Sequence, residues 1–292
     1  MTPLFFPVPF LDDNYGWLLV CPVTGTCAVV DPYDAETVLQ LLQTVAPKGG
    51  SGASAAVPLP PPGQRTLSAV FCTHHHWDHT QGIPALLEMF PRIPVYGHAS
   101  EQHRISGLTH LLHHQDSVSL GDCSARVLHV PGHTRGAIAY AFEGVVFTGD
   151  TLFAGGCGRL FEGSAEEMHR SLNAIAALAP RIQVACGHEY TQSNLEFAAW
   201  LEPENPYIVE RLAAIRLLRR LGRPTVPSPL WLEHLTNPFL RVGSRQFQRA
   251  LSQKLGAIPG SPPHILAEVR RLKDQFRPST HLMGRLTLVG DT

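Results

Sequence analysis

The stretch Cys72–Gly82, CTHHHWDHTQG, places four histidines and one aspartate within six residues, directly after the apolar run Leu67–Cys72 (LSAVFC). A short apolar run rich in strand formers reads as a buried strand. The polar cluster therefore sits where a strand ends and the chain turns, and any fold must bring further polar groups to that strand end. On an extended or turning backbone, residues two apart point to the same side. His74 and His76 can thus share one metal ion, while Asp78 and His79, beyond the turn, can aim at a second point nearby. Imidazole and carboxylate suit zinc, iron or manganese better than calcium or magnesium. The cluster cannot complete two metal sites alone. Three later turns offer partners, each after a strand-like run and each beside a glycine: His133 in HVPGHTRG, Asp150 in FTGDTLF and His188 in CGHEYT.

Strand-like and helix-like runs alternate up to about Gly187. Residues 17–20, 27–30, 67–72, 126–130, 138–142, 145–148 and 183–186 read as strands, and 34–45, 83–90 and 165–178 as helices. Adjacent strands mixed with helical crossovers imply a mixed sheet and an α/β layered domain. From Thr191 the texture changes. TQSNLEFAAWLEP, NPYIVERLAAIRLLRRLG, SRQFQRALSQKLG and PPHILAEVRRLKDQF look helical, with Pro-rich connections. We place a boundary near His188, separating a catalytic domain over 1–188 from a helical domain over 189–292 that ends in an irregular tail. The Gly/Ser/Ala/Pro segment Lys48–Gln64 reads as a surface insertion.

The N-terminal MTPLFFPVPFLDDNYG is apolar but lacks a basic start, and Pro3, Pro7 and Pro9 break it. It does not read as a signal peptide, and no run approaches the ~18 apolar residues of a membrane span. The six cysteines, with no C-x-x-C pair, read as reduced, mostly buried thiols. Cys21 and Cys27 flank a turn and could pair only in an oxidising compartment. The expected location is the cytoplasm. A net charge of −1 argues against nucleic acid or membrane as an obligatory partner. The charge is uneven: 9 Lys+Arg against 15 Asp+Glu up to His188, then 14 against 9. An acidic region followed by a basic one suits an anionic small substrate.

Together the four ligand-bearing turns resemble the metallo-β-lactamase superfamily. The resemblance implies an αββα sandwich with two metals at one edge. Carried over residue by residue, His74, His76 and His133 bind the first metal, Asp78, His79 and His188 the second, and Asp150 bridges them. Asp78 and Asp150 also serve catalysis. His75 and Trp77 match no ligand position, and His75 is expected to support packing or a hydrogen bond behind the ligands. CGRLFEGS (Cys157–Ser164), CGHEYTQSNLEFA (Cys186–Ala198), EPENP (Glu202–Pro206), PTVPS (Pro224–Ser228), TNPFLR (Thr236–Arg241) and VRRLKDQF (Val269–Phe276) further resemble the glyoxalase II family, the hydroxyacylglutathione hydrolases.

That resemblance implies hydrolysis of the thioester S-D-lactoylglutathione to glutathione and D-lactate by hydroxide held on a dinuclear centre, a step of methylglyoxal detoxification. The cofactors would be two divalent metal ions, zinc first, with iron or manganese as alternatives. The glutathione-binding positions would be Arg159, Tyr190, Arg270 and Lys273, and the enzyme would act as a monomer. Arg159 stands where animal-type members have Lys, and keeps the charge while adding bidentate geometry. Phe161 stands where they have Tyr and lacks its hydroxyl. Arg270 and Lys273 lie three apart on an expected helix and share a face, with Ile265, Leu266, Val269 and Leu272 at helical spacing to dock it. A single-iron persulfide dioxygenase of the same superfamily would not need the full ligand set or the long helical region. A tRNA-processing nuclease fits poorly with the near-neutral charge.

Overall fold

The structure, a computed structural model, describes residues 1–44, 65–256 and 260–277. The segment Lys48–Gln64 and the tail beyond Arg277 lie outside the described residues.

Two six-stranded sheets carry the fold. The first runs in the order β1 (Leu4–Phe10), β2 (Asn14–Val20), β3 (Cys27–Val30), β4 (Leu67–Phe71), β5 (Val95–His98) and β6 (His110–Leu112). The second runs β14 (Ser228–Pro229), β13 (Gln183–Cys186), β10 (Val145–Gly149), β9 (Ile138–Phe142), β8 (Cys123–His129) and β7 (Ser117–Leu120). A small hairpin, β11 (Leu152–Phe153) with β12 (Gly156–Cys157), follows β10. Phe5, Trp17, Val30 and Phe71 of the first sheet share one core with Val127, Tyr140, Phe147 and Ala185 of the second. The outer face of the first sheet packs on α1 (Ala35–Thr44) and α3 (Ile83–Met89). That of the second packs on α4 (Ala165–Ala176) and on helices of the C-terminal region. This is an αββα sandwich, and the continuous apolar runs of β2, β3 and β10 follow from burial on both faces.

Several elements escape the sequence pattern. β1 forms despite Pro7 and Pro9, because it is the outer strand of its sheet. The two prolines are two apart and so remove donors from one edge, which is harmless where that edge is free. Cys21 and Cys27 lie in separate core clusters, one between the sheets and one outside the first, so they do not face each other.

The C-terminal region is helical as expected, with α5 (Thr191–Leu201), α6 (Pro206–Arg220), α8 (Arg245–Leu255) and α9 (Pro262–Gln275). It also contains an unanticipated helix, α7 (Leu230–Thr236), and gives β14 back to the second sheet beside β13. Ile265, Leu266 and Val269 of α9 are buried with Met168, Leu172 and Ile175 of α4. A buried polar node fastens this region to the β11–β12 hairpin. Glu233 accepts from Arg211, from Ser228, from Asn237 Nδ2 (3.0 Å) and from the Gly155 N–H (2.7 Å). Removing one partner of a buried pair leaves an uncompensated charge and costs about 3–5 kcal/mol. Glu233→Ala should therefore lower the thermal midpoint by roughly 10 °C or more in calorimetry. An unchanged midpoint would mean that the node does not fasten the helices.

Candidate metal centre

The strand ends β3, β4, β10 and β13 meet at one edge of the sandwich, and the sheets are bolted together there. Tyr140 Oη donates to the Cys72 carbonyl (2.9 Å), and the Ile138 N–H donates to the Thr73 carbonyl (2.9 Å). Gly149, in the left-handed region at φ +47°, lets the end of β10 press on Thr73; a Cβ there would lie 2.2 Å from Thr73 Oγ1. Asp31, just past β3, also has positive φ (+51°), a conformation Asp tolerates better than most residues. Its carboxylate accepts from the Thr73 N–H (2.7 Å) and hydroxyl (2.6 Å). Beyond Thr73 the chain has no regular structure through His76, then makes one helical turn, α2 (Trp77–Thr80), which carries Asp78 and His79.

All seven sequence-predicted ligand residues converge. His76 Nδ1 lies 3.1 Å from His74 Nε2 and 3.0 Å from His133 Nε2. Asp78 Oδ2 lies 3.5 Å from His79 Nε2 and 3.4 Å from His188 Nε2. Each trio has its donor atoms within 4.8 Å of one another. Asp150 stands between them: Oδ2 is 3.5 Å from His133 Nε2 and 3.3 Å from His188 Nε2, and Oδ1 is 3.5 Å from His79 Nε2.

This donor set fits two divalent cations. His79 Nε2 and Asp150 Oδ1 are buried and make no hydrogen bond among the described residues. The rear ring nitrogens are engaged instead. His79 Nδ1 meets Asp31 (3.1 Å), His133 Nδ1 the Arg159 carbonyl (2.9 Å) and His188 Nδ1 Asp13 (3.1 Å). An acceptor behind the ring assigns the proton to Nδ1 and turns the Nε2 lone pair to the centre. Asp31 completes a third trio with His74 and His79, but its oxygens are taken up by Thr73 and His79 Nδ1, so it supports the ligands.

Charge at the centre is strongly coupled. Burial opposes ionisation of Asp150, yet His188 and His79 outweigh it and hold its carboxyl well below the usual range. Burial also disfavours imidazolium at His79 and His188, but Asp150 outweighs it, holding His79 well above the ordinary value and His188 up to about 10. Burial, then neighbouring imidazoles, press His74 well down and His76 to about 4. Cation loading would thus release protons from His79 and His188.

Asp13, Asn14, Asp31 and Thr73 were missed by the sequence reading. Asn14 Nδ2 donates to Asp78 Oδ2 (3.2 Å). Asp31 carried a usable signal, since it follows the apolar run 27–30 as His74 follows 67–72. Asp13 ends the turn after β1, a strand the sequence did not reveal, and Asn14 opens β2.

A cleft of about 660 Å³ opens from the centre and is lined by Arg159, Tyr190, Arg270 and Lys273. Tyr190 stacks on the His188 ring at 4.7 Å. Lys273 Nζ donates to the Ser193 carbonyl (2.9 Å), and burial, then the Arg270 charge, lower it to about 8. Arg270 lines the cleft with Lys273, as their shared face suggested, but it is also a structural tie. It is only 7% exposed, donates to the Cys157 carbonyl (2.8 Å) and Asp274 (3.0 Å), and so also ties α9 to β12. Arg159 Nε lies 3.4 Å from the same Asp274 carboxylate. Phe161 is 60% exposed, its ring 5.2 Å from that of His133. His75 Nδ1 lies 2.8 Å from Glu101 Oε2, behind the first trio.

Residues 17–188 match the family model described as metallo-beta-lactamase superfamily, and residues 189–276 the one described as hydroxyacylglutathione hydrolase C-terminus. A Gloeobacter violaceus protein named hydroxyacylglutathione hydrolase is 46% identical over 268 residues, covering 91% of this chain and 97% of its own. An Arabidopsis thaliana protein named hydroxyacylglutathione hydrolase cytoplasmic is 42% identical over 280 residues, covering 93% and 98%. Among solved structures, ETHE1 from Myxococcus xanthus shares the fold with a TM-score of 0.58, at 24% identity over 92% of this chain and 97% of its own. The chain belongs to the hydroxyacylglutathione hydrolases, the glyoxalase II family of the metallo-β-lactamase superfamily.

Proposed function

We propose that this protein hydrolyses S-D-lactoylglutathione to glutathione and D-lactate, with the thioester at the seven-residue centre and the glutathione along the wall of Arg159, Tyr190, Arg270 and Lys273. The observation that carries this reading is continuity. One cleft is lined both by His76, Asp78, His133, Asp150 and His188 and by those four residues. The names of the relatives point to the same thioester class. Two divalent cations held by the two trios would supply Lewis acidity, lowering the pKa of a water molecule and polarising the thioester carbonyl. A trio made wholly of imidazoles suits zinc or iron better than manganese.

The protein's own groups do the rest. Asp150 keeps the trios in register. Asp78 reaches the cleft, where a carboxylate can accept the proton of the attacking water. In the reaction a C–O bond forms, the C–S bond breaks, and glutathione leaves as thiolate to be protonated by solvent. Tyr190, stacked on His188, gives the glutathione a flat wall beside the reacting bond. Lys273 and Arg270 offer positive charge to its carboxylates. A cytoplasmic location is supported by the Arabidopsis relative's name, and no helix among the described residues is long and apolar enough to cross a membrane.

Asp150→Ala should lose most thioester hydrolysis together with at least one metal ion per chain, read by elemental quantification and assay of one sample. Two ions retained with full activity would refute the bridging role.

The Lys273 contacts generate a second expectation. The substrate carboxylates do not react, so contacts to them are uniform between ground and transition states. Their loss raises KM and spares kcat. Lys273→Ala should raise KM by up to ~10–150-fold, the worth of one charge-assisted hydrogen bond. Because the free amine is pushed down to about 8, its positive form is present below that pH and lost above it. The wild-type kcat/KM should fall as pH rises through about 8, and Lys273→Arg, which stays charged, should abolish that limb. A limb that persists unchanged in Lys273→Arg would assign it to another group.

A further inference from the structure

Behind the first trio lies a carboxylate–imidazole contact that the reaction does not use. Glu101 is 1% exposed, at the end of the short helical turn Ala99–Glu101 that follows β5. Its Oε2 lies 2.8 Å from His75 Nδ1. Neither atom makes an aligned hydrogen bond, so what joins the pair is close contact in a buried space. His75 Nε2 lies 3.7 Å from Glu162 Oε1, so both ring nitrogens face carboxylates. The other Glu101 oxygen rests on the backbone of Gly136, where a Cβ would lie 1.9 Å away. His75 is flanked by His74 and His76, and Gly136 lies three residues beyond His133. One carboxylate therefore touches both segments that supply the first trio. Glu162 braces the same turn from outside: it accepts from the Arg135 N–H (2.8 Å) and from Arg104 (2.6 Å).

We propose that Glu101, acting through His75 and against Gly136, is a positioning residue that sets the separation between the His74–His76 segment and the His133 turn. An apolar side chain would fill this space without burying a polar group. What the carboxylate adds is a fixed separation, with one oxygen against His75 and the other against Gly136. The consequence falls on one trio only, since Asp78, His79 and His188 touch neither Glu101 nor Gly136 in any contact described above. The inference rests on the reading of His74, His76 and His133 as the ligands of one cation.

The test is competition for Zn²⁺ between the metal-free full-length protein and a chromophoric chelator, which resolves two binding steps. His76→Ala and His188→Ala identify the step that belongs to each trio. His75→Ala and Gly136→Ala should weaken the step missing in His76→Ala by about 10–100-fold, the usual effect of losing support behind a metal ligand. The step missing in His188→Ala should hold. The double variant Glu101→Ala/Gly136→Ala should bind no more weakly than Glu101→Ala alone, because without the carboxylate the added methyl has room. Equal weakening of both steps, weakening of neither, or additive losses in the double variant would each overturn the proposal. Should Glu101→Ala not fold, His75→Ala and Gly136→Ala decide the matter alone. If His76→Ala keeps both steps, the ligand reading itself is wrong and the proposal falls with it, an outcome distinct from a failure of Glu101.

Discussion

The Asp31 carboxylate is the contact on which the metal edge depends. It accepts both the N–H and the hydroxyl of Thr73 and faces the rear nitrogen of His79. One side chain thus ties the end of β3 to the end of β4, fixes where the histidine-rich segment begins, and orients a ligand that the segment supplies only after a further turn. Asp31 holds this post in a backbone conformation few residues adopt. Such strain persists where surrounding structure over-determines it, and here three acceptor contacts do so.

From that anchor the other constraints propagate outward. Thr73 meets Gly149 and accepts from Ile138, so the second sheet is registered against the first at the same residue. Asp150 follows Gly149 directly, which places the carboxylate that lies between the trios. On the far side, His188 leaves β13 and turns its rear nitrogen to Asp13, whose carbonyl accepts from the Glu189 N–H. The centre is thus a set of strand ends, each made rigid by burial, with side chains locked from behind by carboxylates and carbonyls. Preorganisation of this kind resists the mutual repulsion of clustered imidazoles without requiring them to move when cations bind.

How far the sequence revealed this follows from what each signal encodes. Strands buried on both faces were legible because continuous apolar runs can do little else; β2, β3 and β10 are of this kind. β1 was illegible because its prolines argue against a strand unless one knows that it lies at an edge. β14, two residues long, has no pattern of its own and exists only because β13 offers a partner. At the centre, local chemistry exposed His74, His76, Asp78 and His79, and turns with glycine suggested His133, Asp150 and His188. The residues behind them were harder to find, and only Asp31, at the end of an apolar run, left a local trace. Asp13, Asp31 and Glu101 are single carboxylates whose roles arise from contacts spanning tens of residues or more. Arg270 shows the complementary limit. Helical spacing put it on the correct face but could not reveal that it also holds the Cys157 carbonyl.

The strand β14 has a consequence for how the molecule is built as a whole. The helical region does not simply rest against the sandwich; it completes the second sheet by covering the outer edge of β13, the strand that leads into His188. Cut away at residue 189, the sandwich would be left with an unpaired strand edge and a bare apolar face where α8 and α9 pack, both of which invite association between copies. The strand ends of the sandwich and the helices that line the cleft beside them therefore cannot be exchanged as separate modules. Changes to the cleft wall are open one side chain at a time, whereas replacing the whole region would strip the partner from the strand that leads into His188.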